Sequence, residues 1–182
     1  MTRKVLLVTL VLMLSVAVAQ ADTLDFSGLS IGQHNSPVIL PNATLHSSSG
    51  PFYVGAAGID HEICALNENN FSCEADITIL FNYSIGGLTL VTSGANDGDV
   101  VDLYAYDSLN NLVASVIGHT GNGSVLGLAG GSGIVKLFID DRSVGAGFGY
   151  DHFEFNRAVP EPATMSLLGL GVLGLGLLRR RS

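Results

Sequence analysis

Two stretches of the chain decide its fold: residues 76–83 read DITILFNY and residues 99–106 read DVVDLYAY. Apolar and polar residues alternate in both, which is the two-residue period of a strand with one buried face. The alternation predicts one face of the first strand made of Ile77, Ile79, Phe81 and Tyr83. In the second strand it separates Val101, Leu103 and Ala105 from Val100, Asp102, Tyr104 and Tyr106.

Strand signals continue along the rest of the central region. Residues 112–117 follow a turn at Asn110-Asn111 and should pair with the strand before it. Further strands are predicted at 87–92, 133–139 and 150–155, with shorter ones around Phe26, Ile39, Phe52 and Tyr53. Turn signals stand at Gly86-Gly87, Asp97-Gly98, Asn122-Gly123 and Gly130-Gly131. Many short strands without a helical period predict an all-β fold, a single β-sandwich or jelly-roll domain.

The first residues have the composition of an export signal. Arg3-Lys4 precede an almost uninterrupted apolar run, and Ala19-Gln20-Ala21 forms an A-x-A cleavage box. This order predicts a signal peptide over residues 1–21, cleaved after Ala21 once the general secretion machinery has exported the chain. The alternative is a retained N-terminal anchor, but the apolar run is short for a membrane-spanning helix, which needs about 20 residues.

The last residues form a second targeting segment, 159–182, which reads VPEPATMSLLGLGVLGLGLLRRRS. Proline lacks an N–H and restricts its predecessor, so Pro160-Glu161-Pro162 should end the domain of residues 22–158 in an exposed, extended segment. The apolar run 163–178 predicts a transmembrane helix. By the positive-inside rule, Arg179, Arg180 and Arg181 stay in the cytoplasm and the domain lies outside.

A Pro-Glu-Pro segment, a Gly/Leu-rich apolar stretch and a terminal arginine cluster, in that order, resemble the PEP-CTERM sorting signal of Gram-negative bacteria. The resemblance implies that Pro160, Glu161, Pro162 and the three arginines form the sorting motif, with an exosortase as the processing partner. It also implies a protein exported across the inner membrane, transiently anchored there, then released to the cell surface or exterior. Carriers of this signal are typically associated with exopolysaccharide or biofilm production. The alternative is an ordinary tail anchor.

Charge and cysteine content constrain the central domain further. Residues 22–158 hold three Lys or Arg and fifteen Asp or Glu, a formal charge of −12, which excludes nucleic acid as a partner held by phosphate contacts. Cys64 and Cys73 are an isolated near pair in an exported chain, and such a pair predicts a disulfide. The alternative, a metal or redox pair, would call for C-x-x-C spacing.

Acidic residues suggest calcium as a cofactor, since hard cations need several converging oxygens. The domain is loosely similar to galactose-binding-like jelly rolls, and that resemblance implies a structural calcium between Asp25 near its start and Asp151 near its end. Asp140-Asp141 and the turn of residues 96–99 are further acidic clusters. For each cluster the alternative is a hydrogen-bonded turn, because Asp and Asn favour turns.

The five histidines are scattered and match no metal or nucleophile motif, so we expect no enzyme. Tyr104 and Tyr106 share a strand face with Asp102, which suits a sugar-binding platform; alternatively, they cover a second sheet. The sequence therefore predicts a non-catalytic surface or matrix protein that contacts exopolysaccharide. A calcium-dependent carbohydrate-binding module is the first alternative. A small secreted glycoside hydrolase, whose paired carboxylates need not be close in sequence, is the second.

Overall fold

A computed structural model of the chain describes residues 21–55, 62–94, 98–121 and 123–157, with the backbone alone at 130–132. The predicted signal peptide up to residue 20, with Ala19, lies outside the described residues. So do the sorting motif and the predicted transmembrane helix. Within the described ranges, no helix is long and apolar enough to cross a membrane.

The described residues form strands joined by turns, without a helix, so the predicted all-β class is confirmed. The strands are β1 (Ala21–Leu24), β2 (Gly32–His34), β3 (Val38–Ile39), β4 (Ala43–Ser47), β5 (Phe52–Gly55), β6 (Glu62–Ala65), β7 (Ile77–Ser93), β8 (Val101–Tyr106), β9 (Leu112–His119), β10 (Val125–Asp141) and β11 (Gly149–Arg157).

All eleven strands belong to one antiparallel sheet with the order β2-β5-β6-β11-β7-β10-β8-β9. β1 adds to β11, and β4 pairs with both β3 and β7. The two longest strands, β7 and β10, each take part in two sets of pairings. Residues 77–81 of β7 pair with β4 and with the end of β10, whereas residues 85–93 pair with β11 and with the start of β10. These two long antiparallel strands therefore join both groups of strands in one sheet.

Two turn predictions are wrong, because Gly86-Gly87 lie inside β7 and Gly130-Gly131 lie inside β10. The register between these strands shifts from Ala129 to Ile134, so the extra residues are taken up by an irregularity while pairing continues on both sides. A Cβ added at Gly87 would lie 2.8 Å from the carbonyl oxygen of Leu128. Gly87 therefore permits close strand approach beside a bulge instead of ending the strand.

The predicted strand faces are confirmed by burial. Ile77, Ile79 and Phe81 are buried, and Tyr83 is half-buried. The predicted apolar face of β8 is fully buried; it consists of Val101, Leu103 and Ala105. Apolar residues from both strand groups form a single core, which accounts for the strong alternation along the chain.

Aromatic contacts link strands that are distant in sequence. The rings of Phe81 in β7 and Phe155 in β11 lie 5.3 Å apart, centroid to centroid. Phe26, predicted to lie in a short strand, instead follows β1 and packs edge-on against Phe153 at 5.9 Å. Phe52 and Ile39 do lie in short strands, β5 and β3, as predicted.

The predicted disulfide is present: Cys64 in β6 is bonded to Cys73, with a Cα–Cα distance of 5.4 Å. The loop that it closes is ordered by its own asparagines. The Asn67 side chain accepts from the N–H of Asn69 at 3.0 Å, and the Asn70 side chain accepts from the N–H of Ser72 at 3.1 Å. Asx turns of this kind replace the ladder bonds that a loop lacks.

Pairing of β1 with β11 brings the two ends of the described domain together, with Ala21 opposite Asn156. Asp22 accepts hydrogen bonds from the Tyr83 hydroxyl at 2.5 Å and from Arg157 at 3.3 Å, and the Arg157 guanidinium lies 4.2 Å above the Tyr83 ring. The Tyr83 hydrogen bond is the main cause of a lowered pKa for Asp22. The chain thus enters and leaves this domain at neighbouring strand ends.

Candidate functional site

The solvent side of strands β4, β7, β10, β8 and β9 forms the candidate site, called the outer face below. Directly opposed residues of antiparallel strands project on the same side of a sheet, so the register defines rows of neighbouring side chains. The central row is His46, Thr78, Phe138, Tyr104 and Ser115. The row next to it is Thr44, Leu80, Lys136, Tyr106 and Leu112.

Burial shows which side of the sheet meets solvent. Leu45, Ile79 and Leu137, which point to the opposite side, are 0 % exposed. Residues of the two rows are all half-buried or exposed. Tyr104 and Tyr106 accordingly lie on the solvent side, as the sugar-platform hypothesis requires, and the core lies behind them.

Aromatic rings occupy the middle of the outer face. The rings of Tyr104 and Phe138 lie 6.3 Å apart at an interplanar angle of 26°. Beside them, the Lys136 ammonium lies 4.0 Å from the Tyr106 ring centroid and donates a hydrogen bond to the Asn110 side chain. Sequence reasoning identified the two tyrosines and missed Phe138 and Lys136. Their two-residue spacing within the predicted strand 133–139 was the signal that could have placed them on one face.

A buried carboxylate, two residues before Tyr104 on β8, supports the central row from the side. The Asp102 side chain is 4 % exposed. One of its oxygens accepts from the guanidinium of Arg142 at 2.8 Å and from the N–H of Gly118 at 2.6 Å, and the other accepts from the Tyr104 hydroxyl at 3.1 Å. Burial opposes ionisation of Asp102, but these three hydrogen bonds outweigh it, so its pKa lies below the ordinary value.

Tyr104 is held as a neutral donor by the same arrangement. Desolvation and the hydrogen bond to Asp102 both raise the pKa of its hydroxyl, because a phenolate would be desolvated and would face a carboxylate. One side of Tyr104 is thus fixed by Asp102 while its ring lies beside Phe138. An aromatic ring anchored in this way loses little conformational freedom when a ligand binds.

The residues suggested for calcium lie near each other in the fold, since Asp25 directly follows β1 and Asp151 belongs to its partner β11. The Asp25 carboxylate accepts from the N–H and the hydroxyl of Ser27, both at 2.7 Å. Asp151 is buried and contacts His152 through the N–H at 2.7 Å and Nδ1 at 2.6 Å. Across the described ranges, no group of three or more His, Cys, Asp or Glu side chains is arranged to hold a metal. Calcium stays a prediction.

The Asp140-Asp141 cluster organises a turn. Asp141 accepts from the N–H of Ser143 at 3.0 Å and, through its other oxygen, from the N–H of Phe148 and the hydroxyl of Tyr150, both at 3.2 Å. Burial raises its pKa despite these bonds. In the acidic turn 96–99, residues 96 and 97 lie outside the described part, and Asp99 is buried.

The histidines that the structure describes are dispersed over different elements, and His61 lies outside the described residues. His46 is exposed on β4, whereas the Nε2 of His119 lies 3.0 Å from the carbonyl oxygen of Gly121. Glu62 forms a short hydrogen bond with Ser93. His119 and Glu62 thus each make a structural contact.

A cleft of ≈ 470 Å³ lies between the turn after β1 and the β3–β4 hairpin. Its lining includes Asp25, Ile39 and Asn42, and it shares no residue with the two rows of the outer face. Among the described residues, the lining includes no aromatic ring, whereas the outer face carries the rings of Tyr104, Tyr106 and Phe138. The outer face is therefore the better candidate for recognition of a ligand by ring stacking.

Residues 158–181 match the family model of the PEP-CTERM protein-sorting motif. The chain carries a PEP-CTERM sorting motif. This confirms the resemblance read from the Pro-Glu-Pro segment, the apolar stretch and the arginines. The PEP-CTERM motif indicates export and membrane-associated processing by an exosortase.

Comparison with curated proteins finds no match for the chain. Among solved structures, the fold is similar to a mutant of a family 29 carbohydrate-binding module. That likeness has 15 % sequence identity and a TM-score of 0.37, and it covers 76 % of this chain and 89 % of the module. A likeness at this level does not identify a ligand for the outer face.

Proposed function

We propose that this chain is an exported surface or extracellular-matrix protein that binds polysaccharide through its outer face and catalyses no reaction. The observation that carries the proposal is the solvent-side row in which Tyr104 and Phe138 lie side by side, flanked by Lys136 over Tyr106. The sorting motif supports a surface location, because it marks the chain for export.

The chemistry of the outer face suits a sugar chain. Pyranose rings present C–H groups on one side, which pack against aromatic rings, and hydroxyls around the rim, which need donors and acceptors. Thr78, Ser115 and His46 flank the two central rings with such groups. Neighbouring strands are about 4.8 Å apart, so the row offers a line of contacts across the sheet instead of an enclosed pocket. A line of this kind fits an extended polymer.

The same proposal includes the two ends of the chain and the partner. It comprises a cleaved signal peptide, a transmembrane helix at residues 163–178 and exopolysaccharide as the binding partner. We also propose that β7 and β10 bend where their glycines lie, so that the sheet folds back on itself as a β-sandwich. The Phe81–Phe155 ring contact between the two strand groups supports this bend.

A binding experiment tests the ligand. The full chain, purified in a non-ionic detergent, is applied to an array of bacterial and plant polysaccharides, alongside Tyr104→Ala and Phe138→Ala. We expect saturable binding that falls about tenfold in each variant, the usual weight of one aromatic stacking contact. Tyr53→Ala is the matched control, since Tyr53 is 40 % exposed on β5 and lies outside the outer face.

Two further arms separate the alternatives. Binding that disappears with a chelator and returns with Ca²⁺ would favour the calcium-dependent module. Release of reducing ends from a bound polysaccharide would favour the hydrolase. Binding unchanged in both outer-face variants would contradict the proposed site.

Processing is tested by the intact mass of protein recovered from a strain with its native sorting machinery and from a strain lacking it. We expect loss of residues 1–21 in both strains. Loss of the residues after the Pro-Glu-Pro segment should occur only where the machinery is present. An intact C terminus in both strains would indicate a plain membrane anchor and would remove the main support for exopolysaccharide.

A further inference from the structure

The few cations of the domain are distributed unevenly. Residues 22–158 contain three, Lys136, Arg142 and Arg157, against fifteen acidic residues. Two of the three lie on the outer face, at opposite ends of its aromatic centre: Lys136 over Tyr106, and Arg142 on Asp102. Tyr106 and Asp102 are four residues apart on β8, so the residues that the two cations contact lie about 13 Å apart along that strand.

Lys136 differs from the other two cations in its partners. Arg142 is ion-paired with Asp102 and Arg157 with Asp22. Within the described part of the chain, Lys136 makes no ion pair; its ammonium contacts the Tyr106 ring and the Asn110 amide oxygen. An ammonium has three donors, and a half-buried one keeps part of its charge available to an anion.

We infer that the polysaccharide of the outer face is acidic and that Lys136 binds its carboxylates. This inference rests on the proposed function. Lys136 and Phe138 are two residues apart on β10, about 7 Å, so a uronate ring stacked on the central aromatic pair brings its carboxylate within reach of the ammonium. Asp140 also lies on this side of β10, two residues beyond Phe138 and away from Lys136, so it favours the orientation in which the uronate carboxylate faces the ammonium. Charges farther away are screened by salt beyond about 8 Å at physiological ionic strength.

The test compares two polymers that differ only in charge: a polyuronate (alginate) and the same alginate after reduction of its carboxyl groups to alcohols. The full chain in non-ionic detergent should bind alginate more tightly than its reduced form, with an affinity that weakens as salt rises. Lys136→Gln should weaken alginate binding about fivefold, the size of a partly exposed ion pair, and leave binding to the reduced polymer unchanged. Lys136→Arg should restore it.

Arg157→Gln is the matched control, because it removes the same charge from β11, away from the outer face. Equal losses in Lys136→Gln and Arg157→Gln would mean that only net charge matters, which overturns the role of Lys136. An equal loss for both polymers in Lys136→Gln would assign Lys136 to packing on Tyr106 and would likewise overturn it.

Other outcomes separate this inference from the proposed function. Equal affinity for the two polymers, lost in Tyr104→Ala, would keep polysaccharide binding and overturn acidic selectivity. If the array shows a neutral ligand and the chain binds neither alginate nor its reduced form, polysaccharide binding likewise stands and acidic selectivity is overturned. Absence of binding to every polysaccharide tested would overturn both.

Discussion

Arg142→Gln is the perturbation that tests the support of the outer face most directly. The substitution removes one of the three hydrogen bonds that satisfy the buried Asp102 carboxylate and removes its only ion-pair partner in the described residues. Breaking a fully buried pair costs about 3–5 kcal/mol, whereas an exposed pair contributes at most about 1 kcal/mol. Since Asp102 is 4 % exposed and Arg142 is 50 % exposed, the expected cost is intermediate, about 1–2 kcal/mol at pH 7.

The pH dependence of that cost has a definite sign. The folded-state pKa of Asp102 is depressed, so its contribution to stability is fully present above the unfolded-state value of about 3.9. This contribution is lost as the pH falls through the folded-state pKa, when the carboxyl takes up a proton and no longer needs the guanidinium. The difference in unfolding free energy between wild type and Arg142→Gln should therefore shrink steadily from about pH 5 to pH 2.

The assay is urea unfolding of the full chain in detergent, followed by tyrosine fluorescence at several pH values. Arg157→Gln is the control, since its partner Asp22 is 25 % exposed and the loss should be smaller than that of Arg142→Gln. Two results would refute the reasoning. An Arg142→Gln penalty that is equal at neutral and acid pH would show that the arginine stabilises by packing. No penalty at pH 7 would show that solvent satisfies Asp102 unaided.

Three further predictions concern stability, each measured by the same unfolding assay. Replacing both disulfide cysteines by serine should lower the free energy of unfolding by about 2–3 kcal/mol, because the crosslink closes a loop between residues nine positions apart and so restricts the unfolded chain. A reductant should produce the same loss in wild type and no loss in the variant. Gly87→Ala should destabilise the fold by about 1–3 kcal/mol, because the new Cβ would meet the Leu128 carbonyl oxygen at 2.8 Å. Gly86→Ala is the control and should be nearly neutral, since the space around Gly86 is open. Equal effects of the two substitutions would contradict the close approach of β7 to β10 at Gly87. Tyr150→Phe removes a buried hydrogen-bond donor to Asp141 and should lower the free energy of unfolding by about 1–3 kcal/mol at neutral pH. The loss should be smaller in acid, because a protonated Asp141 needs fewer donors. A loss that grows in acid would be inconsistent with this role.

Local patterns were sufficient for the faces of the two strands that decide the fold, for the disulfide and for the sorting motif. The alternation in residues 76–83 and 99–106 identified buried faces correctly, because side chains on a strand alternate between core and solvent whatever the strand pairs with. The disulfide between Cys64 and Cys73 followed from the exported context and the near pair. The sorting motif is a linear signal, so its recognition needed no knowledge of the fold.

Only the tertiary structure decided which strands are neighbours. Gly86-Gly87 resembles a turn in sequence, yet β7 continues through these residues because it pairs with β10 on both sides of a bulge. The residues of β10 that form this bulge lie about forty positions away in sequence. Phe138 lies beside Tyr104 because hydrogen bonds between β8 and β10 set the register, and a slip of β10 by one residue would turn Phe138 to the core side. Whether a segment forms a strand depends mainly on its own residues. Which strand it pairs with, and in which register, depends on residues that are distant in sequence, and the outer face forms only when that pairing is set.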